Sequence, residues 1–453
     1  VATADLVISS TRVVTPEGLR PGAVVISDGV IRAIRPPGDP MDSRRRVDVG
    51  DAVVMPGGVD THVHVNEPGR TEWEGFETAT RAAAAGGITT IVDMPLNSLP
   101  VTTTAAALDQ KRRAAEGKCT IDVAAWGGVV PGNGGQLEPL WRAGVLGFKC
   151  FMVPSGIPEF GHLTEADLRP AMTALGKWGA ALLVHSESPE PIARATQAAR
   201  AGDPRRYGTY LASRPPEAEL EAIGLVLSLA AETGCRVHIV HLSAAGALRA
   251  LRRAKAQGRP VTVETCPHYL SFAAEDVADG ATAFKCAPPI RGAANREALW
   301  EGLASGTIDF IASDHSPCPP ALKRPETGDF FEAWGGIASL EVELAATWTG
   351  ARARGHSLAD LARWHAEAPA RLAGLGHKGR IAVGGDADLV VFEPDSTVTV
   401  DPAALHQRHH HSVYASRELF GRVRQTFLRG VCVFDDGSFP RPPQGRWLQR
   451  EAA

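Results

Sequence analysis

The stretch Ala52-Val53-Val54-Met55-Pro56-Gly57-Gly58-Val59-Asp60-Thr61-His62-Val63-His64 separates two kinds of sequence. Side chains of a strand alternate between its faces, so His62 and His64 point the same way and two imidazoles converge at the strand's end. Convergence of this kind can hold a metal ion. Exposed polar residues at a strand end give the same pattern by chance, so the pair needs support from the rest of the chain. Asp60 shares the face, where a carboxylate can orient an imidazole from behind.

Upstream, from Asp5 to about Asp51, short apolar runs such as Leu6-Val7-Ile8 and Ala23-Val24-Val25-Ile26 are broken by turn residues such as Ser27-Asp28-Gly29, the mark of a small β unit. From Pro56 onward β-branched runs alternate with Ala-rich stretches: 88–93, 121–126, 145–151, 181–185, 237–241, 261–265 and 308–313. With the opening run these make eight strands, the number in a (β/α)8 barrel. Between them, 74–85, 220–233 and 244–257 carry good helix formers with apolar residues at three- and four-residue steps. After about Gly379 strand patterns return, in 387–392 and 425–432. The fold predicted is therefore α/β: a TIM-type barrel over 56–377 beside a small β-sandwich domain made from both ends, 1–55 and 378–439. The tail 440–453, opened by Pro440, Pro442 and Pro443, cannot continue a sheet and is expected to be an extended arm.

A chain of 453 residues exceeds one small core, which fits a large barrel with an addition. With 44% apolar residues and a formal charge of −4, it offers no bulk basic surface to nucleic acid or anionic lipid, so a small molecule is the expected partner. Its 7 cysteines are odd in number, scattered and free of C-x-x-C pairs, which argues against a disulfide framework and fits a reducing cytoplasm. Neither a basic, apolar leader nor a run of the ~20 apolar residues of a membrane span is seen, and a cytoplasmic protein is expected.

In such a barrel catalytic groups stand at the C-terminal ends of several strands. The fifth strand runs Ala181-Leu182-Leu183-Val184 into His185, and the sixth runs Val237-His238-Ile239-Val240 into His241. His238 and His241 face opposite sides, so His241, at the end, is chosen and His238 is read as a satisfied core histidine. The eighth strand ends in Asp314-His315. Asp314 is the better candidate, since a carboxylate can both ligate metal and carry protons. The fourth ends in Gly147-Phe148-Lys149-Cys150-Phe151, where Lys149 is poorly solvated between aromatic rings. Desolvation favours the neutral amine, which reacts with CO2 to give a carbamate able to bridge two ions. Spacing leaves this reading open beside an ordinary lysine paired to a carboxylate. His268, after the seventh strand, lies near the mouth and is read as more often apart from the site than in it. His409-His410-His411 is read as a solvated or interface segment rather than a metal tract.

Residues 60–64 with Glu67-Pro68-Gly69, then 147–151, His185, His241 and Ser313-Asp314-His315-Ser316, resemble the cyclic amidohydrolases: dihydroorotases, dihydropyrimidinases or hydantoinases, and allantoinases. The resemblance spans essentially the whole chain. It implies that His62, His64, carbamylated Lys149 (N6-carboxylysine) and Asp314 surround one divalent ion, while Lys149, His185 and His241 hold a second. Zinc, cobalt, manganese or iron would suit such ligands. It also implies a homo-oligomer, a tetramer.

Asn66 stands where dihydroorotases carry an arginine for the substrate carboxylate, which removes that anchor. Glu72-Trp73-Glu74-Gly75, 94–100, 313–320 and Ala333-Trp334-Gly335-Gly336-Ile337 are similar to bacterial allantoinases in particular. Hydantoinases usually place a ring-binding tyrosine near Lys-x-Phe, and Phe151-Met152-Val153-Pro154 offers none. The resemblance thus implies opening of the hydantoin ring of allantoin to allantoate, with Asp314 moving the proton. Candidates to hold the ring and ureido group are Asn97, Ser316 and the backbone of Ala287, Gly335 and Gly336. Ala287 replaces a serine common in relatives, which matters only if the hydroxyl is used. Two alternatives stand: a hydantoinase or dihydropyrimidinase acting on other cyclic ureides, and a non-catalytic scaffold relative.

Overall fold

The computed structural model describes residues 3–39 and 42–450. Eight parallel strands form the barrel: Gly58–Val63, Ile88–Asp93, Asp122–Ala125 continued by Gly127–Gly128, Phe148–Phe151, Ala181–His185, Arg236–Ile239, Val261–Thr265 and Phe310–Ile311. Registers step around it, with Phe148 opposite Leu182, Leu182 opposite Val237, Val237 opposite Val261 and Glu264 opposite Phe310. Closure comes between the first and eighth strands, where the His64 amide donates to the His315 carbonyl at 2.9 Å. The strands are buried almost throughout because helices cover their outer faces, which is why they read as continuous apolar runs.

The third strand breaks at Trp126. Asp122–Ala125 pairs with the second strand and Gly127–Gly128 with the fourth. A Cβ at Gly127 would meet Leu140 at 2.6 Å and one at Gly128 would meet Phe160 at 2.6 Å, so only glycine lets the backbone cross there. Helix Pro216–Thr233 shows how the covering layer is specified. It opens on a proline, whose missing N–H costs nothing at a helix start, and stops at Gly234, whose φ of 69° is left-handed. Its Ala222, Ile223, Val226 and Leu229 face the same core as Val184 and Val237.

Both chain ends enter one sheet. Five N-terminal strands (Ala4–Thr15, Gly18–Ser27, Val30–Arg35, Ser43–Asp48 and Val53–Pro56) join Leu389–Thr399, Glu418–Leu428 and Val431–Asp435. The two ends meet where Val54 lies antiparallel to Val391. Hydrogen bonding is continuous through all eight strands, so the leaves of the expected sandwich are parts of one sheet. The register shift between Ser10 and Val13 interrupts the long first strand, and Ile8, Val24, Leu389 and Phe427 share one core.

The tail carries one pairing that its prolines did not suggest. Beyond Pro443 it resumes pairing, with Trp447 opposite Val123 and the Leu448 amide on the Val123 carbonyl at 2.7 Å. The prolines block only their own positions, and the lower part of the third strand has a free edge because its upper part alone reaches the fourth. Lys378 fastens the parts together, its ammonium 2.9 Å from Asp122 in the barrel, 2.6 Å from Asp388 and 3.0 Å from Asp386. Among the described residues no helix is long and apolar enough to cross a membrane.

Candidate active site

Five of the six residues singled out at strand ends line one cavity of about 450 Å³: His62, His64, His185, His241 and Asp314. His62 Nε2 lies 3.2 Å and His64 Nε2 3.6 Å from Asp314 Oδ1, and one ligand atom from each of the three falls within 4.8 Å of the others. His241 closes the circle, its ring centroid 5.3 Å from His62 and 4.6 Å from His185. His185 stacks on Phe151 at 4.5 Å. The sixth, Lys149, is wholly buried behind them, its Nζ 4.9 Å from the Phe151 ring centre and without a hydrogen-bond partner.

The backbone achieves this with costly geometry. His241 (φ 37°), Asp314 (φ 45°), Asn97 (φ 70°) and Asn66 (φ 65°) all adopt left-handed conformations that side chains with a Cβ disfavour. Strand alternation therefore does not set where His241 and Asp314 point. A local turn does.

Burial dominates the electrostatics. It pushes the His64 imidazole down to about 4 and lowers His185 and His241 as well, so these rings are neutral near pH 7, the form that binds metal. Burial opposes ionisation of Asp314, but His62, His64 and His241 outweigh it and hold its carboxyl well below the usual range. Burial also brings the Lys149 ammonium down to about 8, against the pull of Glu264 and Asp314, so a substantial share of neutral amine exists at mild pH.

Two carboxylates that sequence reasoning missed hold the imidazoles from behind. Glu264, in the seventh strand, accepts from His62 Nδ1 with one oxygen and from His238 Nε2 at 2.9 Å with the other. Asp60, expected to orient an imidazole, instead accepts from the His62 backbone amide at 2.9 Å and from the Ser313 hydroxyl. Glu187 sits 2.7 Å from His185 Nε2 and is paired with Arg214. Both signals were present: a lone acid inside the apolar run Val261–Thr265, and an acid two residues past His185 on the same face. His238 is a satisfied buried histidine, its Nδ1 2.8 Å from Thr262 Oγ1 and its ring stacked on Phe310.

All five residues proposed for substrate line the cavity: Asn97, Ala287, Ser316, Gly335 and Gly336. Two already serve the cluster. Asn97 Nδ2 lies 3.3 Å from His64 Nδ1, and the Ser316 hydroxyl donates to Asp314 Oδ1 at 2.7 Å. Asn97 Oδ1 remains buried without a partner. Asn66 is buried beside the site, its amide turned to the Pro317 carbonyl at 3.4 Å. His268 stands with Cys266 within ligand reach of Asp314, though its ring nitrogens have no hydrogen-bond partner. The His409 segment lies apart, with His409 Nε2 on the Glu72 carbonyl at 2.9 Å.

The model of the Amidohydrolase family matches residues 53–433. An allantoinase of Streptomyces avermitilis is 53% identical over 99% of this chain and 99% of its own, and an allantoinase of Arabidopsis thaliana is 46% identical over 95% and 88%. Among solved structures, the L-hydantoinase (dihydropyrimidinase) of Arthrobacter aurescens superposes with a TM-score of 0.95 at 31% identity, over 99% of this chain and 100% of that one. The dihydropyrimidinase of Brevibacillus agri gives 0.89 at 29%, covering 98% of each. Matched over residues 53–433 by the family model and 53% and 46% identical to allantoinases over nearly its whole length, the chain belongs to the amidohydrolase family, on its allantoinase branch.

Proposed function

We propose that this chain hydrolyses the hydantoin ring of allantoin to allantoate using two divalent metal ions. The observation that carries the reading is Lys149, an amine buried without a partner in a cluster of imidazoles and Asp314, in a chain 53% identical to an allantoinase. The donor set fits two ions. His62, His64, Asp314 and Lys149 would hold one, and Lys149, His185 and His241 the other, with Lys149 as the carbamate that its neutral amine forms with CO2. Mixed nitrogen and oxygen donors suit zinc, with cobalt, manganese or iron as alternatives. When bound, the ions supply the Lewis acidity that activates a water and polarises the amide carbonyl.

The chain's own groups do the rest. Asp314 is ionised and accepts the proton that the attacking water loses, then delivers it to the departing ring nitrogen. The Ser316 hydroxyl, on Oδ1, restrains the rotation of that carboxylate. Asn97 Oδ1 and the backbone of Ala287 and Gly335 would hold the ring and ureido group in a cavity sized for a small molecule. Contact through backbone makes the absent serine hydroxyl at Ala287 tolerable.

The test compares turnover of allantoin, hydantoin and dihydrouracil by one purified preparation, with metal quantified and the mass of the Lys149 peptide measured. Allantoin should dominate, with two metals per chain and a CO2 increment on Lys149. Dominant dihydrouracil turnover would give the site to a dihydropyrimidinase, the reading favoured by the 31% identical structural neighbour. A metal-free, unmodified and inactive protein would make it a scaffold.

A further inference from the structure

Lys323 ends the short turn Pro320–Lys323 and is 5% exposed. An ammonium has three donors, and here all three go to backbone carbonyls: Lys285 at 3.2 Å, Trp334 at 3.1 Å and Gly336. Burial lowers the lysine's pKa, and beside these carbonyls the side chains that favour its charge are the Cys318 and Cys286 thiols, with no carboxylate among them. An apolar side chain of similar size would fill the same space without the cost of burying a charge. What the ammonium adds is a fixed position for three carbonyls on two separate segments.

Those segments form one wall of the cavity. Ala287, Gly335 and Gly336 line it, and a Cβ placed on Gly335 would lie 3.8 Å from the Ala287 nitrogen. The wall is stitched in both directions: the Gly336 amide donates to the Lys285 carbonyl at 2.9 Å, the Trp334 amide to the Leu322 carbonyl at 2.7 Å, and Lys285 Nζ to the Phe331 carbonyl at 3.2 Å. Its far side abuts the reacting end of the site. Gly336 has φ 158°, and a Cβ there would meet the Ser316 carbonyl at 2.5 Å, while the Ser316 hydroxyl donates to Asp314. A wall made of backbone has no rotamers with which to adjust, so its fit to a planar amide depends on where its segments are held.

We propose that Lys323 is a positioning residue whose ammonium sets the backbone wall of Ala287, Gly335 and Gly336 against the bound cyclic ureide, and so governs substrate affinity rather than the chemical step. The inference rests on reading the cavity as a cyclic ureide site. Lys323 touches none of the six strand-end residues, so loss of its charge leaves the metal cluster and Asp314 in place.

The experiment uses the metal-loaded enzyme, with Lys323→Met and Lys323→Arg beside the parent, and with allantoin and hydantoin as substrates. Metal content and melting temperature are measured on each preparation. Lys323→Met is expected to raise KM about tenfold with kcat within about threefold and metal content unchanged, the pattern of lost uniform binding. Lys323→Arg, which keeps the charge and the donors, should recover part of the KM. A KM within twofold of the parent in Lys323→Met overturns the proposal, and so does an equal fall in kcat with loss of metal, which marks a merely structural role. Should Lys323→Met not fold, Lys323→Gln decides by the same criteria. If the parent opens hydantoin but not allantoin, the substrate reading fails while the KM comparison on hydantoin still judges Lys323.

Discussion

Glu264 joins His62 to His238: one carboxylate oxygen takes the Nδ1 proton of His62, and the other lies 2.9 Å from His238 Nε2. The contact fixes the orientation of the His62 ring, so that Nε2 faces Asp314. Removing such a partner typically costs about 10–100-fold in metal affinity. Glu264→Ala should therefore release metal to a chelator at concentrations that leave the parent loaded. Equal retention by both proteins would show that His62 needs no such hold.

Asp314 is placed to move the proton, its carboxyl kept ionised by three imidazoles. Asp314→Asn keeps the shape and loses the base, so kcat for allantoin should fall by about a hundred- to ten-thousandfold. The melting temperature should change little. Near-parental turnover would refute the proton-carrying role.

Lys149→Ala removes the only buried amine of the cluster and should leave the protein folded with less than two metals per chain. Acetate or propionate, whose carboxylate has the two-oxygen geometry of a carbamate, should restore part of the metal and the activity. Full metal content in the variant would sink the bridging assignment.

Lys285 gives a pH signature in stability. Burial, with the nearby charges of Arg214 and Lys323, brings its ammonium down to about 7 from the ordinary 10.5. Below pH 7 both folded and unfolded chains hold the proton, and the folded one bears the full burial cost. Between about pH 7 and 10 the unfolded chain binds more protons, so this residue's contribution to stability rises with pH. The urea midpoint of the parent should gain on that of Lys285→Met across this interval. A constant difference would contradict the lowered pKa.

Lys378, whose side chain is 5% exposed, pairs with three carboxylates, those of Asp122, Asp386 and Asp388, where barrel and sheet meet. Lys378→Met strips the cation and leaves buried charge unpaired, a change worth about 3–5 kcal/mol. Denaturant melts should show that loss without any change in the KM for allantoin. A midpoint equal to the parent's would place the tie elsewhere, on Arg429, which also pairs with Asp122.

Much of the site is legible along the chain because barrel strands deliver residues to one rim at each strand end. His62, His64 and His185 follow directly from that rule. His241 and Asp314 also reach the rim, but through left-handed turns that alternation does not describe. Glu187 was within reach of the same rule, two residues past the imidazole it meets, and Glu264 is marked by its acidity in an apolar run, yet nothing local says that Glu264 meets His62. The pairing of Trp447 with Val123 was hidden because a free strand edge exists only after the third strand has split.

Periodicity and residue type along the chain settle the strand count, the helical cover and the strand ends that carry His62, His64 and His185, since each depends on near neighbours in sequence. Which nitrogen of His62 faces the cavity is settled by tertiary structure, through Glu264, whereas Glu187 meets His185 from two residues away. The first of these joins residues 202 positions apart. A hydrogen bond acts over about 3 Å, so such a pairing exists only once the strands have come round to meet.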